Sequence, residues 1–126
     1  MKFILLIHHE EALDEGERQS LLGESVQFAN HLHSKQQYLD AAPLYPSSAT
    51  TSVKVRDGKR IVTDGPFAET REQIGGYFLI DAKDLGEAID IAASIPPARI
   101  GTVEVRPVRE VEGLPRSGLT SAGISR

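Results

Sequence analysis

A chain of 126 residues is long enough for one domain with a buried core. Its net charge of −4 gives no electrostatic reason to expect nucleic acid or an anionic membrane as a partner. The absence of cysteine excludes disulfides, thiolate metal sites and a cysteine nucleophile, and suits a reducing cytoplasm.

Phe3 to Ile7 is an unbroken apolar run, as a strand buried on both faces would show. It is too short for a signal-sequence core or a membrane span, so a cytoplasmic protein with no membrane contact is expected. Polarity rises sharply at His8-His9-Glu10-Glu11. From about Glu17 to Gln36 the period becomes helical, with Leu21, Leu22, Ser25, Phe28, Ala29 and Leu32 on one face. His33 falls at the edge of that face and His31 points away from it. Tyr38 to Leu44 reads as a strand stopped by Pro43 and Pro46.

Thr50 to Arg56 alternates, with Val53 and Val55 on one side and Ser52, Lys54 and Arg56 on the other. Asp57-Gly58 is a hairpin signal, since both residues tolerate the positive φ of a type I′ turn, and Lys59 to Thr63 is the returning strand. Lys54, Arg56, Lys59 and Arg60 then form a small basic patch of the kind found on solvated strand faces. A charged loop follows, and Gly75-Gly76 opens a strand over Tyr77 to Ala82. The glycine pair suggests a bulge or a close backbone approach. Asp84 caps a second helix, with Glu87 at capping-box spacing and Leu85, Ala88, Ile89 and Ala92 as its apolar stripe. Pro96-Pro97 end it. Thr102 to Val108 alternates again, with Val103 and Val105 inward and Glu104 and Arg106 outward.

The order β, α, β, hairpin, β, α, β is the split β-α-β plan of ferredoxin-like α+β folds with an added hairpin. Two helices cover one face of an antiparallel sheet. The apolar first strand asks for a cover on the other face too, and a second copy of the chain would supply it, so a homodimer, or a higher oligomer built from it, is expected. Residues 1–108 form the domain. Residues 109–126 are rich in Gly, Ser, Pro and Arg and form a tail, either disordered or laid on the partner subunit.

The run Val62-Thr63-Asp64-Gly65-Pro66-Phe67-Ala68-Glu69-Thr70-Arg71-Glu72-Gln73-Ile74-Gly75-Gly76-Tyr77 resembles the signature of the DGPF-type proteins of the YCII-related family. Ala49-Thr50-Thr51, Ile95-Pro96-Pro97-Ala98-Arg99 and Val103-Glu104-Val105-Arg106-Pro107 extend the resemblance over roughly residues 2–108. It implies a ferredoxin-like subunit paired into a dimeric α+β barrel, in a mostly bacterial family whose reactions are largely unassigned. Related barrels include small monooxygenases and isomerases that bind aromatic or lactone substrates between sheet and helices. Some relatives accompany extracytoplasmic-function sigma factors, which implies a regulatory alternative. Short members pair a helical His with an Asp. The matching position here falls near Ser25, so that dyad does not carry over.

Two candidate catalytic groups remain. Asp64 stands at a strand end, as a general base or substrate anchor, or as a turn former whose carboxylate accepts backbone N–H bonds. One of His8 and His9, which alternation sends to opposite faces, would be its partner, since histidine exchanges protons near neutral pH. Arg71, Glu69 and Glu72 are candidate holders of a polar substrate, or else members of a solvated turn with weak ion pairs. Tyr77, with Tyr38 and Tyr45, either lines a pocket or packs with its hydroxyl at a rim. Phe67 is expected to anchor the loop in the core, and His31 and His33 to lie at the surface. Neighbouring strand residues do not easily reach one ion, so no metal is expected, and no nucleotide-cofactor or hydrolase motif occurs. Two functions stay open: a cofactor-free small-molecule enzyme, and a ligand-binding or regulatory dimer.

Overall fold

The computed structural model describes residues 1–115. Its elements are β1 (Lys2–His9), α1 (Glu15–Ser34), β2 (Tyr38–Pro43), β3 (Thr51–Arg56), β4 (Lys59–Asp64), β5 (Gln73–Asp81), α2 (Leu85–Ser94) and β6 (Gly101–Pro107), with short 3₁₀ turns at Ser47–Ala49 and Pro96–Arg99. Four strands form one antiparallel sheet in the order β2-β5-β1-β6. This is the ferredoxin-like α+β arrangement, and the apolar β1 takes an inner position. Phe3, Leu5 and Ile7 alternate onto the face covered by the helices, where they meet Phe78, Ile80, Leu32, Ile91 and Ile95. Ile4, Leu6 and His8 alternate onto the other face, which no element among the described residues covers, and are half-buried.

The helix starts follow from local hydrogen bonding. Asp14 accepts from the Glu17 amide at 2.8 Å while Glu17 accepts from the Asp14 amide at 3.2 Å, so α1 begins at Glu15, earlier than its apolar periodicity suggests. At α2, Asp84 accepts from the Glu87 amide, but Glu87 reaches back to the amide of Lys83 and not to that of Asp84. The expected box is therefore one residue longer. The α2 stripe also needs correction. Leu85 and Ile89 are half exposed, and Ala88, Ile91 and Ala92 are buried, because the helix rolls Ile91 and its following Ile95 onto the sheet.

Among the described residues the hairpin β3–β4 pairs only with itself, residue for residue from Thr51↔Asp64 to Arg56↔Lys59. Asp57 and Gly58 have φ of 53° and 74°, as a type I′ turn requires. Val53, Val55, Ile61 and Val62 are all exposed. Phe67 does not anchor the loop in the core: it is 88% exposed. The loop is fixed by polar bonds instead. The Gly65 amide donates to the Thr50 carbonyl at 2.7 Å, and the Ser52 hydroxyl to the Gly65 carbonyl at 2.7 Å. After β6 the Val108 amide still bonds the Lys2 carbonyl, and most of the expected C-terminal tail lies outside the described residues. No helix among the described residues is long and apolar enough to cross a membrane.

Candidate active-site cavity

Of the residues on α1, Leu32 alone is fully buried. The helix is seated on the sheet near its C-terminal end. Toward its N-terminus the small and medium residues Ser25, Val26 and Ala29, with Leu21, Leu22 and Arg18, line a cavity of about 650 Å³. The opposite wall is the end of the sheet where β1 finishes and β5 begins: Ile7, His9, Gly75, Gly76 and Phe78. The segment after β2, with Leu44, Tyr45 and Pro46, closes one side. The volume is in the range of small-molecule sites, and the lining is mostly apolar with a few polar groups, which is the usual composition of such sites.

His9 is the titratable group that the strand ends place in this wall. Between β1 and β5 the register shifts, because Ile7 faces Gly76 and His8 faces Ile74, leaving Gly75 as an extra residue. The His9 ring lies over Gly75. A β-carbon there would stand 2.9 Å from His9 Cδ2 and closer still to Nε2, so the ring occupies the space a side chain would need. The glycine pair thus supplies both the bulge and the close approach expected of it. His9 Nδ1 is 2.8 Å from the Glu10 carbonyl oxygen. A carbonyl can only accept, so the neutral ring carries its proton on Nδ1 and presents an unprotonated Nε2 above Gly75. That is a Brønsted base at the cavity wall with its tautomer fixed by the backbone.

Glu11 and Tyr77, two other polar groups of the wall, are engaged with neighbours. Glu11 accepts from both the amide and the hydroxyl of Ser47, each at 2.7 Å, which ties the β1–α1 loop to the turn after β2. Tyr77 donates its hydroxyl to Asp40 at 2.5 Å. That hydrogen bond, with burial and the nearby negative charge adding to it, pushes the Tyr77 phenol up to about 12. Burial, then the charge of Asp40, also raises Tyr38. Both phenols therefore stay protonated, and Tyr77 gives its proton to Asp40. Tyr38 packs edge-on against His33, with ring centroids 6.1 Å apart. His33 lines the cavity even though it is exposed at the helix edge.

The sequence-derived candidates separate into three places. His9 and Tyr77 line the cavity, as do Tyr38 and Tyr45. His8 is on the opposite face, where its Nε2 is 2.7 Å from Glu104, and with Glu72 it borders a shallow depression. Asp64 ends β4 exposed and lines neither space; the described hydrogen bonds of its turn run through Gly65 and Ser52 and not through its carboxylate. Glu69 is exposed. Arg71 reaches Glu10 at 3.1 Å, so the charged loop touches the residue whose carbonyl holds His9. The subunit does not bring Asp64 and a histidine together. Asp40 and Arg18 escaped sequence reasoning, and Glu11 was weighed only as a metal ligand. Asp40 had a readable signal, a carboxylate inside an otherwise apolar strand. Among the described residues no group of three or more His, Asp or Glu is arranged to hold a metal ion.

The fold is shared with a solved structure, 5-chloro-2-hydroxyhydroquinone dehydrochlorinase from Burkholderia phenoliruptrix AC1100 in complex with 2,5-dihydroxybenzoquinone. The match has a TM-score of 0.57 at 10% identity and covers 89% of this chain and 97% of the other, a likeness of fold alone. An uncharacterized protein of Rhizobium meliloti (strain 1021) is 45% identical over 69 residues, 53% of this chain, and the match spans 56% of that relative's length. The model of the YCII-related domain matches residues 1–112, and the chain belongs to the YCII-related family.

Proposed function

We propose that this protein is a small-molecule enzyme that works without a bound cofactor, moving a proton between His9 Nε2 and a substrate held between α1 and the sheet. The observation that carries the proposal is the seating of His9, with Nδ1 bonded to the Glu10 carbonyl and Nε2 over Gly75 in the wall of a largely apolar cavity. The similar fold of an enzyme bound to a small quinone supports it. Tyr77 gives its one hydroxyl proton to Asp40 and holds that wall of the site in place. Arg71 acts on the site through Glu10, and Asp64 takes no part in the chemistry.

The test uses 5-chloro-2-hydroxyhydroquinone and unchlorinated hydroxyquinols as trial substrates, followed by absorbance and chloride release. His9→Gln is expected to lower turnover by about 10²–10⁴ with the fold intact by circular dichroism. Nitrogen-15 spectra of the histidines should show the Nδ1–H tautomer at His9, perturbed by 2,5-dihydroxybenzoquinone. Full activity in His9→Gln, or an Nε2-protonated ring indifferent to a ligand that fills the cavity, overturns the proposal.

The functional unit in this proposal is a homodimer. Ile4 and Leu6 lie on a sheet face that the described residues leave uncovered, and Val53, Val55 and Val62 are exposed on the hairpin. Sedimentation of a monomer across the micromolar range would remove this part of it.

A further inference from the structure

We infer that the cavity selects an apolar ligand bearing one anionic group, which Arg18 binds; this rests on the cavity being the substrate site. Arg18 stands on the first turns of α1 and lines the cavity. One of its terminal nitrogens donates to the Leu13 carbonyl at 3.1 Å, which pins the guanidinium to the β1–α1 loop. A guanidinium has five N–H donors in a planar fork, and no carboxylate among the described residues pairs with Arg18. The other arginines with described ion pairs, Arg71 and Arg99, are taken by Glu10 and Glu24. The carboxylate in the same wall, Glu11, has both oxygens bound by Ser47 and does not answer the charge of Arg18.

The space thus combines an oriented cation at one end, apolar side chains along α1 and β5, and the His9 base at the sheet end. A carboxylate, sulfonate or ionised phenol on a ring or short chain would meet the open side of the fork, and the apolar remainder would lie along Leu21, Val26 and Ala29 toward His9. A second anionic group would fall in mostly apolar surroundings with no second arginine or lysine in the lining to receive it.

Two dyes that share one scaffold test this: 8-anilinonaphthalene-1-sulfonate, and N-phenyl-1-naphthylamine, which lacks the sulfonate. Fluorescence titration of the full chain should show that Arg18→Gln weakens the sulfonate dye about tenfold or more while leaving the neutral dye unchanged. Arg18→Lys, which keeps the charge and loses the fork, should fall between. Ser25→Phe, which fills the space from α1, should remove both dyes. Equal affinity of wild type and Arg18→Gln for the sulfonate dye, with Ser25→Phe still blocking it, overturns the role of Arg18 and leaves the cavity as the site. Dye binding that survives Ser25→Phe in a protein folded by circular dichroism places the ligand elsewhere and overturns both.

Discussion

Replacing glycine by alanine should have opposite signs at two positions of this chain. At Gly75 the new methyl group would stand 2.9 Å from His9 Cδ2 and 3.2 Å from Cε1, so the imidazole must leave its seat. Crowding of this kind costs about 1–3 kcal/mol, and the lost bond from Nδ1 to the Glu10 carbonyl adds about 0.5–1.5 kcal/mol. Against this, alanine lowers the entropy of the unfolded chain by about 0.4–1 kcal/mol. The balance is a destabilisation of about 0.5–4 kcal/mol, most of the range lying above about 1 kcal/mol. For a chain of 126 residues that corresponds to a drop in Tm of about 2–15 °C. At Gly23, inside α1, an added methyl group meets nothing within 4 Å. There the helix propensity of alanine should stabilise by about 0.5–1 kcal/mol and raise Tm by about 2–4 °C. Calorimetry gives both shifts, and nitrogen-15 histidine spectra report whether His9 has left its carbonyl in Gly75→Ala. A Gly75→Ala protein with unchanged Tm and an unchanged His9 signal would refute the seating of the ring on which the proposed chemistry depends.

Two further outcomes follow from the hydrogen bonds of the wall. The neutral form of Tyr77 is favoured by folding, so its bond to Asp40 contributes stability below pH 10 that fades as pH rises toward about 12. In Asp40→Asn, ultraviolet titration should show a tyrosine moving back toward the ordinary range near 10, and an unmoved titration would contradict the Tyr77–Asp40 bond. Glu11→Ala removes both bonds to Ser47 and frees the turn after β2, which should cost about 1–2 kcal/mol in urea unfolding after allowance for partial exposure. A midpoint equal to wild type would mean that the clasp holds nothing.

Much of the fold was legible because its signals are local and redundant. The apolar run from Phe3 to Ile7, the capping residues Asp14 and Asp84, the Asp57-Gly58 turn and the alternation around Val103 and Val105 each encode one element. The site was less legible because it depends on register. The bulge at Gly75 and the choice of cavity face for His9 over His8 follow from the pairing of strands distant in sequence. Phe67, Leu85 and Ile89 misled for a related reason. An apolar side chain predicts burial only if a neighbour arrives to cover it, and among the described residues none does. The charged loop drew attention to Asp64, but its structural reach is through Arg71 to Glu10, a contact between residues 61 positions apart.

The separate pairing of β3 with β4 also has a kinetic meaning. A lone two-stranded ribbon is marginal in water, and this one shares no ladder with the main sheet. Its amides should therefore exchange with solvent through local opening well before those of β1 and β5, which open only when the whole domain does. Any surface that comes to rest on Val53, Val55 and Val62 would slow that exchange, so the protection of a few hairpin amides makes a built-in gauge of association, readable residue by residue as protein concentration is raised.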